Sequence, residues 1–302
     1  MEYKKIIKSQ KLRLKILSFL DFIPDKQMIQ LQYRIKTGRK LNLKNSQRYT
    51  EKLQWYKLYY RNPLMLQCAD KYAVREYVES KGLGYVLNDL YGVYDSVEEI
   101  NFDDFPSQFV IKTTNGGGGN NIILCKNKDL LNKDIEKQKI KEWLKPKTNK
   151  FGREWVYDFK PRIIVEKLLP RDQNNDLPDY KFICFNGKPQ YLYVMIDRFS
   201  ESGMKLGIFD IDFNKLPYQC KGIPKIDREI EKPNNFDVMI EMAKILSKDF
   251  PHVRVDFYNI NGEIVFGELT FFDGSGYDIF TPDEADFILG EGFNLPKENI
   301  NE

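Results

Sequence analysis

The stretch from Val253 to Gly276, VRVDFYNINGEIVFGELTFFDGSG, constrains this chain more than any other. Two alternating apolar runs flank Asn261-Gly262, which is a hairpin signal. Arg254 and Asp256 punctuate the first run, Glu268 and Thr270 the second, and a spacing of two puts each pair on one face of its own strand. Whether the two pairs share a face depends on the turn. A two-residue Asn261-Gly262 turn sets Val255 opposite Glu268 and splits the carboxylates across the sheet. An odd-length connection, such as Asn261-Gly262-Glu263 with a glycine bulge, sets Asp256 opposite Glu268 and Arg254 opposite Thr270. Opposed side chains have Cβ atoms ~5 Å apart, and like charges so placed are destabilising. Among Val255, Phe257, Val265 and Leu269 the acids are also expected to be partly buried, which is costly for an unpaired ion. A divalent cation between them removes both problems, and hard oxygen ligands suit magnesium. The competing expectation is a buried ion triad in which Arg254 neutralises the two acids.

Composition narrows the chemistry. A single histidine, His252, makes a Ser-His-Asp or multi-histidine metal mechanism nearly impossible. Cys68, Cys125, Cys184 and Cys220 lie far apart with no CxxC pair, which predicts reduced thiols and no zinc knuckle. No apolar run approaches the ~18 residues of a membrane span. The apolar stretch of the basic N-terminus is broken by Lys15 and Asp21, against a cleaved signal peptide. These features predict a cytoplasmic protein. The 302 residues are enough for two or three lobes. Residues 1–60 hold 15 Lys/Arg against 4 Asp/Glu, and the rest 32 against 40. A basic leader on an acidic body points to an anionic partner, either a membrane surface or a polyanion.

In chain order, Ser9 to Ile23 places Leu12, Ile16, Phe19, Leu20 and Ile23 on one helical face. This reads either as an interfacial helix on anionic lipid at the inner face of the membrane or as a helix docked on the protein body. Pro24 opens a second helix that Gly38 closes, and Thr50 to Tyr60 is a third. Cys68 to Lys81 reads as one helix capped by Asp70. Phe109 to Leu124, FVIKTTNGGGGNNIIL, is strand, glycine loop, strand. It is therefore neither a P-loop nor a Rossmann fingerprint, both of which open a helix. Glycine amides can close on phosphate oxygens as an anion nest, with Lys112 as a point charge; the alternative is a flexible hairpin tip. Lys126 to Lys150 is a lysine-rich solvated helix and loop. Arg162 to Leu169 and Asp179 to Phe185 are strands, Asn186-Gly187 turns into Gln190 to Asp197, and Phe236 to Phe250 is an amphipathic helix.

The ordered set ADKY, FVIK before a glycine loop, RIIVEK, DYKFICFNGK, RVDFY and GELTFF resembles the ATP-grasp superfamily, and more closely its TupA-like branch of bacterial surface polysaccharide synthesis. The resemblance runs from about Arg34 to Leu295. It implies an α+β, ATP-grasp fold of two α+β lobes clasping ATP, preceded by a basic helical region. Its divisions are 1–60 for that region, 61–105 for an N-terminal lobe, and 106–302 for the ATP-grasp domain, with a glycine-loop lobe (106–165) and a metal-site lobe (166–302). By position, Lys71 and Lys112 resemble phosphate-binding lysines, and Gly116, Gly117, Gly118 and Gly119 the loop over the triphosphate. Glu166, Lys167 and Leu168 resemble the hinge strand that holds adenine. Asp179 sits where a carboxylate takes the ribose hydroxyls, and Lys181 where a phosphate is reached. Asp256 and Glu268 resemble the magnesium (Mg2+) ligands, with Thr270 where many ligases have a third, asparagine, ligand. Arg254 resembles the residue that stabilises the oxyanion. Asn115 precedes four glycines where the branch usually reads Asn-His-Gly-Ser-Gly.

The function implied is carboxylate–amine ligation using ATP and magnesium, joining a uronic acid of a capsule or other polysaccharide precursor to an amino acid or other amine. Arg198 and Lys205 are the candidates for holding the sugar acid. A kinase with the same nucleotide site and a glycosyltransferase of a polysaccharide locus are alternatives, the latter without a DxD signature. An adaptor using only residues 1–60 is a further one. No nucleic acid partner is expected.

Overall fold

The computed structural model describes residues 9, 12, 16, 19–117, 119, 121–145, 152–172, 175–198, 200 and 203–296. Helix α1, Asp25–Thr37, follows Pro24 and ends at Gly38, whose φ of 78° suits its left-handed cap and whose N–H donates to the Arg34 carbonyl at 2.9 Å. Helix α2 is Tyr49–Tyr59. The single helix expected over residues 68–81 is two, α3 (Leu64–Ala69) and α4 (Val74–Ser80). Asp70 does cap the second: its Oδ1 accepts the Tyr72 and Ala73 N–H groups at 2.8 Å each. The break leaves Lys71 on a half-buried corner that lines the cavity instead of on a helix face.

Strands β1 (Leu90–Tyr94), β2 (Phe109–Thr113) and β3 (Ile122–Cys125), helix α5 (Lys133–Leu144) and strand β4 (Ile163–Lys167) form the first lobe. Its antiparallel sheet has the order β1-β4-β2-β3. Ile140 of α5 packs with Phe102, Phe105, Phe109 and Val165 in a core of its own. Strands β5 (Asp179–Phe185), β6 (Lys188–Ile196), β7 (Lys205–Asp210) and β8 (Gln219–Cys220), helix α6 (Phe236–Ser247), strands β9 (His252–Ile260), β10 (Glu263–Thr270) and β11 (Phe280–Thr281) and helix α7 (Ala285–Ile288) follow. The larger antiparallel sheet has the order β10-β9-β5-β6-β7. Met239, Met242, Ala243 and Leu246, spaced at three and four, press α6 onto one face of it beside Phe182 and Phe257.

The expected divisions are corrected by these contacts. Strand β1, expected in a separate lobe over 61–105, pairs with β4 and belongs to the first sheet. Residues 49–86 instead contribute Leu53, Tyr56, Met65, Val74 and Val78 to the core of the larger sheet. The boundary between residues 165 and 166 falls inside β4. Alternation within single strands could not reveal which sheet each one joins.

The expected helix over residues 9–23 lies mostly outside the described residues. Of its apolar face, Leu12, Ile16 and Phe19 are exposed. Arg153 holds the end of this segment and the start of α1, donating to the carbonyls of Leu20 (3.0 Å) and Ile23 (3.0 Å) and to Asp25 (2.9 Å). Among the described residues no helix is long and apolar enough to cross a membrane. The four cysteines are free and buried. His252 is fully buried against Tyr49, Tyr56, Phe185 and Phe293, and that burial pushes its pKa down to about 3.

Candidate active site

The hairpin resolves its own ambiguity in an unexpected way. Ile260 pairs with Glu263, so the turn is the two-residue Asn261-Gly262 and not the three-residue form. The register then shifts between Phe266 and Glu268, so that Asp256 faces Glu268 and Arg254 faces Thr270. Gly267 is the extra residue, a bulge inside β10 that returns the carboxylates to one face. A side chain is crowded there: a Cβ on Gly267 would lie 3.1 Å from the Asp256 carbonyl oxygen.

The neighbouring register extends this polar face across three strands. Lys181 pairs with Asp256 and Asp179 with Tyr258, so Glu268, Asp256 and Lys181 form one row. Arg254 grips Asp256 with two bonds of 2.7 Å, Nε to Oδ1 and Nη2 to Oδ2. It also reaches Glu268 Oε1 at 3.3 Å through Nη2 and Asp273 through Nη1. Lys181 bonds Asp256 and lies 2.7 Å from Asp179, which also accepts from Arg198 at 2.8 Å. Lys71 reaches across to Glu268 Oε2 at 2.6 Å. Thr270 Oγ1 donates to Glu268 at 3.4 Å.

Charge follows from this packing. Burial raises the Glu268 carboxyl, but Lys71, Lys181 and Arg254 outweigh it and hold the group well below the usual carboxylate range. For Asp179 burial wins over Lys181, and its pKa rises. Burial disfavours the Arg254 charge, yet Asp256 and Asp273 raise its pKa far above the ordinary value. Among the described residues no group of three or more His, Cys, Asp or Glu forms a metal cage. A cation held by Asp256 and Glu268 would complete its shell with ligand oxygens and water, as magnesium does. The donor set fits magnesium.

From the first lobe, Lys112 on β2 lies 2.6 Å from Glu166 on β4, with Arg75 at 3.7 Å from the same carboxylate. Gly116, Gly117 and Gly119 line the cavity, while Gly118 lies outside the described residues. The Lys71 N–H donates to the Thr114 carbonyl at 3.1 Å, tying that corner to the glycine hairpin. The two sheets thus enclose one cavity of about 940 Å³.

Three expected residues fall elsewhere. Alternation along β4 turns Lys167 outward to Asp89 at 3.1 Å, and its backbone N–H and C=O are taken by Asp89 and Asn88. Leu168 does not line the cavity, whereas Leu169 does. Lys205 is turned to Asp227 (2.9 Å) and Asp197 (3.6 Å), away from the cavity. Glu166, expected at adenine, is held by Lys112. Arg75, Glu154, Tyr258 and Asp273 were missed in the sequence. Only Tyr258, two residues beyond Asp256, carried a signal, its place in the alternation.

Lys112→Ala is expected to weaken ATP binding and to destabilise the fold by about 1–3 kcal/mol, because the Glu166 side chain, 7 % exposed, loses its nearest cation. Calorimetric titration and denaturant unfolding check both, and unchanged ATP affinity removes Lys112 from the site.

A glycine hairpin above a cavity, lysines entering from two antiparallel sheets and a carboxylate pair on its floor define the ATP-grasp class. Residues 51–294 match the family model described as TupA-like ATPgrasp, and the chain belongs to that family. Enzymes of this class use ATP and magnesium to join a carboxylate to an amine. Among solved structures the chain is similar to D-alanine–D-alanine ligase from Bacillus anthracis, at 17 % identity over 68 % of this chain and 57 % of that one, TM-score 0.40. It is also similar to the Helicobacter pylori enzyme of the same name (15 % identity, 75 % and 61 % covered, TM-score 0.40). A third is L-amino acid ligase from Bacillus licheniformis (12 %, 72 % and 44 %, TM-score 0.39). The chain thus spans less than two thirds of each. No curated protein matches it.

Proposed function

We propose that this chain is an ATP- and magnesium-dependent carboxylate–amine ligase of surface polysaccharide synthesis, amidating a uronic acid through an acyl phosphate. The observation that carries the reading is the placement of Asp256, Glu268, Arg254 and Lys181 on one sheet face, lining the same cavity as Lys71 and Lys112. Phosphate charge is met by those lysines, and Leu87, Leu169 and Met195 give an apolar wall for the base. Asp256 and Glu268 would hold magnesium, which when bound supplies charge neutralisation at phosphoryl oxygens.

The uronate carboxylate attacks the terminal phosphorus, the bond to ADP breaks, and an acyl phosphate forms. The amine nitrogen then attacks the acyl carbon to give a tetrahedral oxyanion, which collapses to the amide as phosphate leaves and takes up the proton that the nitrogen gives up. Arg254, donating into the site, stabilises the oxyanion between these steps. Arg198 is suited to meet the uronate: it lines the cavity, and a Cβ on Gly119 would lie 3.8 Å from its Nη2. The amine is suited to Glu154 and Asp158, which line the same cavity without an ion pair to any described lysine or arginine.

The test is a screen of uronic acids crossed with amino acids. With ATP, magnesium and the right acid but no amine, hydroxylamine is expected to trap a hydroxamate. With amine, ADP, free phosphate and amide are expected in equal amounts. A stable phosphorylated product without hydroxamate from any acid would replace the ligase by a kinase.

A further inference from the structure

Arg254 occupies the carboxylates that the metal needs. Three of its four bonds go to Asp256 and Glu268, and a divalent ion held by those acids has to displace it. The fourth goes to Asp273, in the turn after β10. Asp273 is 5 % exposed and does not line the cavity. Its second oxygen, Oδ2, is buried without a hydrogen-bond partner among the described residues. A buried carboxylate oxygen left unmatched is costly, and one beside a guanidinium is the unused half of a two-bond fork.

The geometry points to Asp273 as a positioning residue: it is the acceptor onto which Arg254 turns when metal takes Asp256 and Glu268. Arg254 therefore has two seats. In the structure it is forked on Asp256 and singly bonded to Asp273. With metal bound it is forked on Asp273, Nη1 to Oδ1 and Nη2 to Oδ2, and stays in the site as an oxyanion donor. The exchange keeps the buried guanidinium paired in both states, which a lone buried cation requires. This inference rests on the magnesium reading above.

The experiment is metal binding without turnover: Mn2+ titrated calorimetrically in the presence of ADP. Asp273→Asn removes the second seat, leaves Arg254 competing for Asp256 and Glu268, and is expected to weaken Mn2+ at least ~10-fold, the scale for losing a partner that orients a metal site. Asp273→Glu, which keeps the charge, is expected to recover most of that loss, as a merely structural role would not require. Parent affinity in a folded Asp273→Asn protein overturns the inference. So that a misfolded variant decides nothing alone, the Arg254 Nε–H resonance is followed in the unsubstituted protein. It is expected to shift when Mg2+ and ADP are added, and an unmoved signal with metal bound also overturns it. If the unsubstituted protein binds no Mn2+, the magnesium reading itself fails.

Discussion

Arg254→Ala is expected to slow turnover ~10²–10³-fold, the scale for losing one oxyanion donor, with ATP affinity little changed. The same change is expected to cost the metal-free protein about 3–5 kcal/mol, because the guanidinium is the shared partner of Asp256, Glu268 and Asp273. The two losses separate under ligand. With magnesium and ADP present, the cation takes over Asp256 and Glu268, and part of the lost stability is expected to return. Denaturant unfolding with and without Mg2+–ADP reads the second effect, steady-state ADP release the first. Equal destabilisation in both conditions would mean that the acids never pass from arginine to metal.

Gly267→Val is expected to be nearly as damaging as loss of a metal ligand, whereas deletion of Gly267 is expected to be mild. A valine Cβ would press on the Asp256 carbonyl, so the strand must either strain or straighten. Straightened pairing sets residue 267 opposite Asp256 and turns Glu268 toward the apolar face, so metal-dependent turnover is expected to fall ~10²–10³-fold. Deleting Gly267 removes the extra residue and leaves Asp256 opposite the glutamate. Magnesium-dependent ADP release by the two variants is the measurement, and the reverse order of severity would show that the bulge does not set the face.

Much of this was legible in the sequence for a physical reason. Arg254, Asp256, Glu268, Lys112 and Lys181 are charges inside apolar runs, and burial makes such charges conspicuous. The hairpin was legible from Asn261-Gly262, but its register was not, because Gly267 reads equally as strand or bulge. Lys205 misled because a half-buried lysine paired with Asp227 looks in sequence like a lysine beside a ligand. Glu154, Asp158 and Asp273 sit on loops without periodicity, where only tertiary folding says what a side chain faces. The placement of β1 was hidden likewise, since strand pairing is non-local.

The two hydrophobic clusters under the sheets share no residue among those described: Ile140 and Phe109 belong to one, Phe182 and Leu246 to the other. Close-packed interiors resist rearrangement, so motion within either lobe is expensive. Motion between them is cheaper, because the contacts across the cavity include the Arg75–Glu166 ion pair and the backbone bond from Lys71 to Thr114, which can exchange partners with phosphate and water. The stiffness of this molecule is therefore uneven by construction. Each half behaves as a solid, and the seam between them is compliant along the line where the nucleotide is to lie.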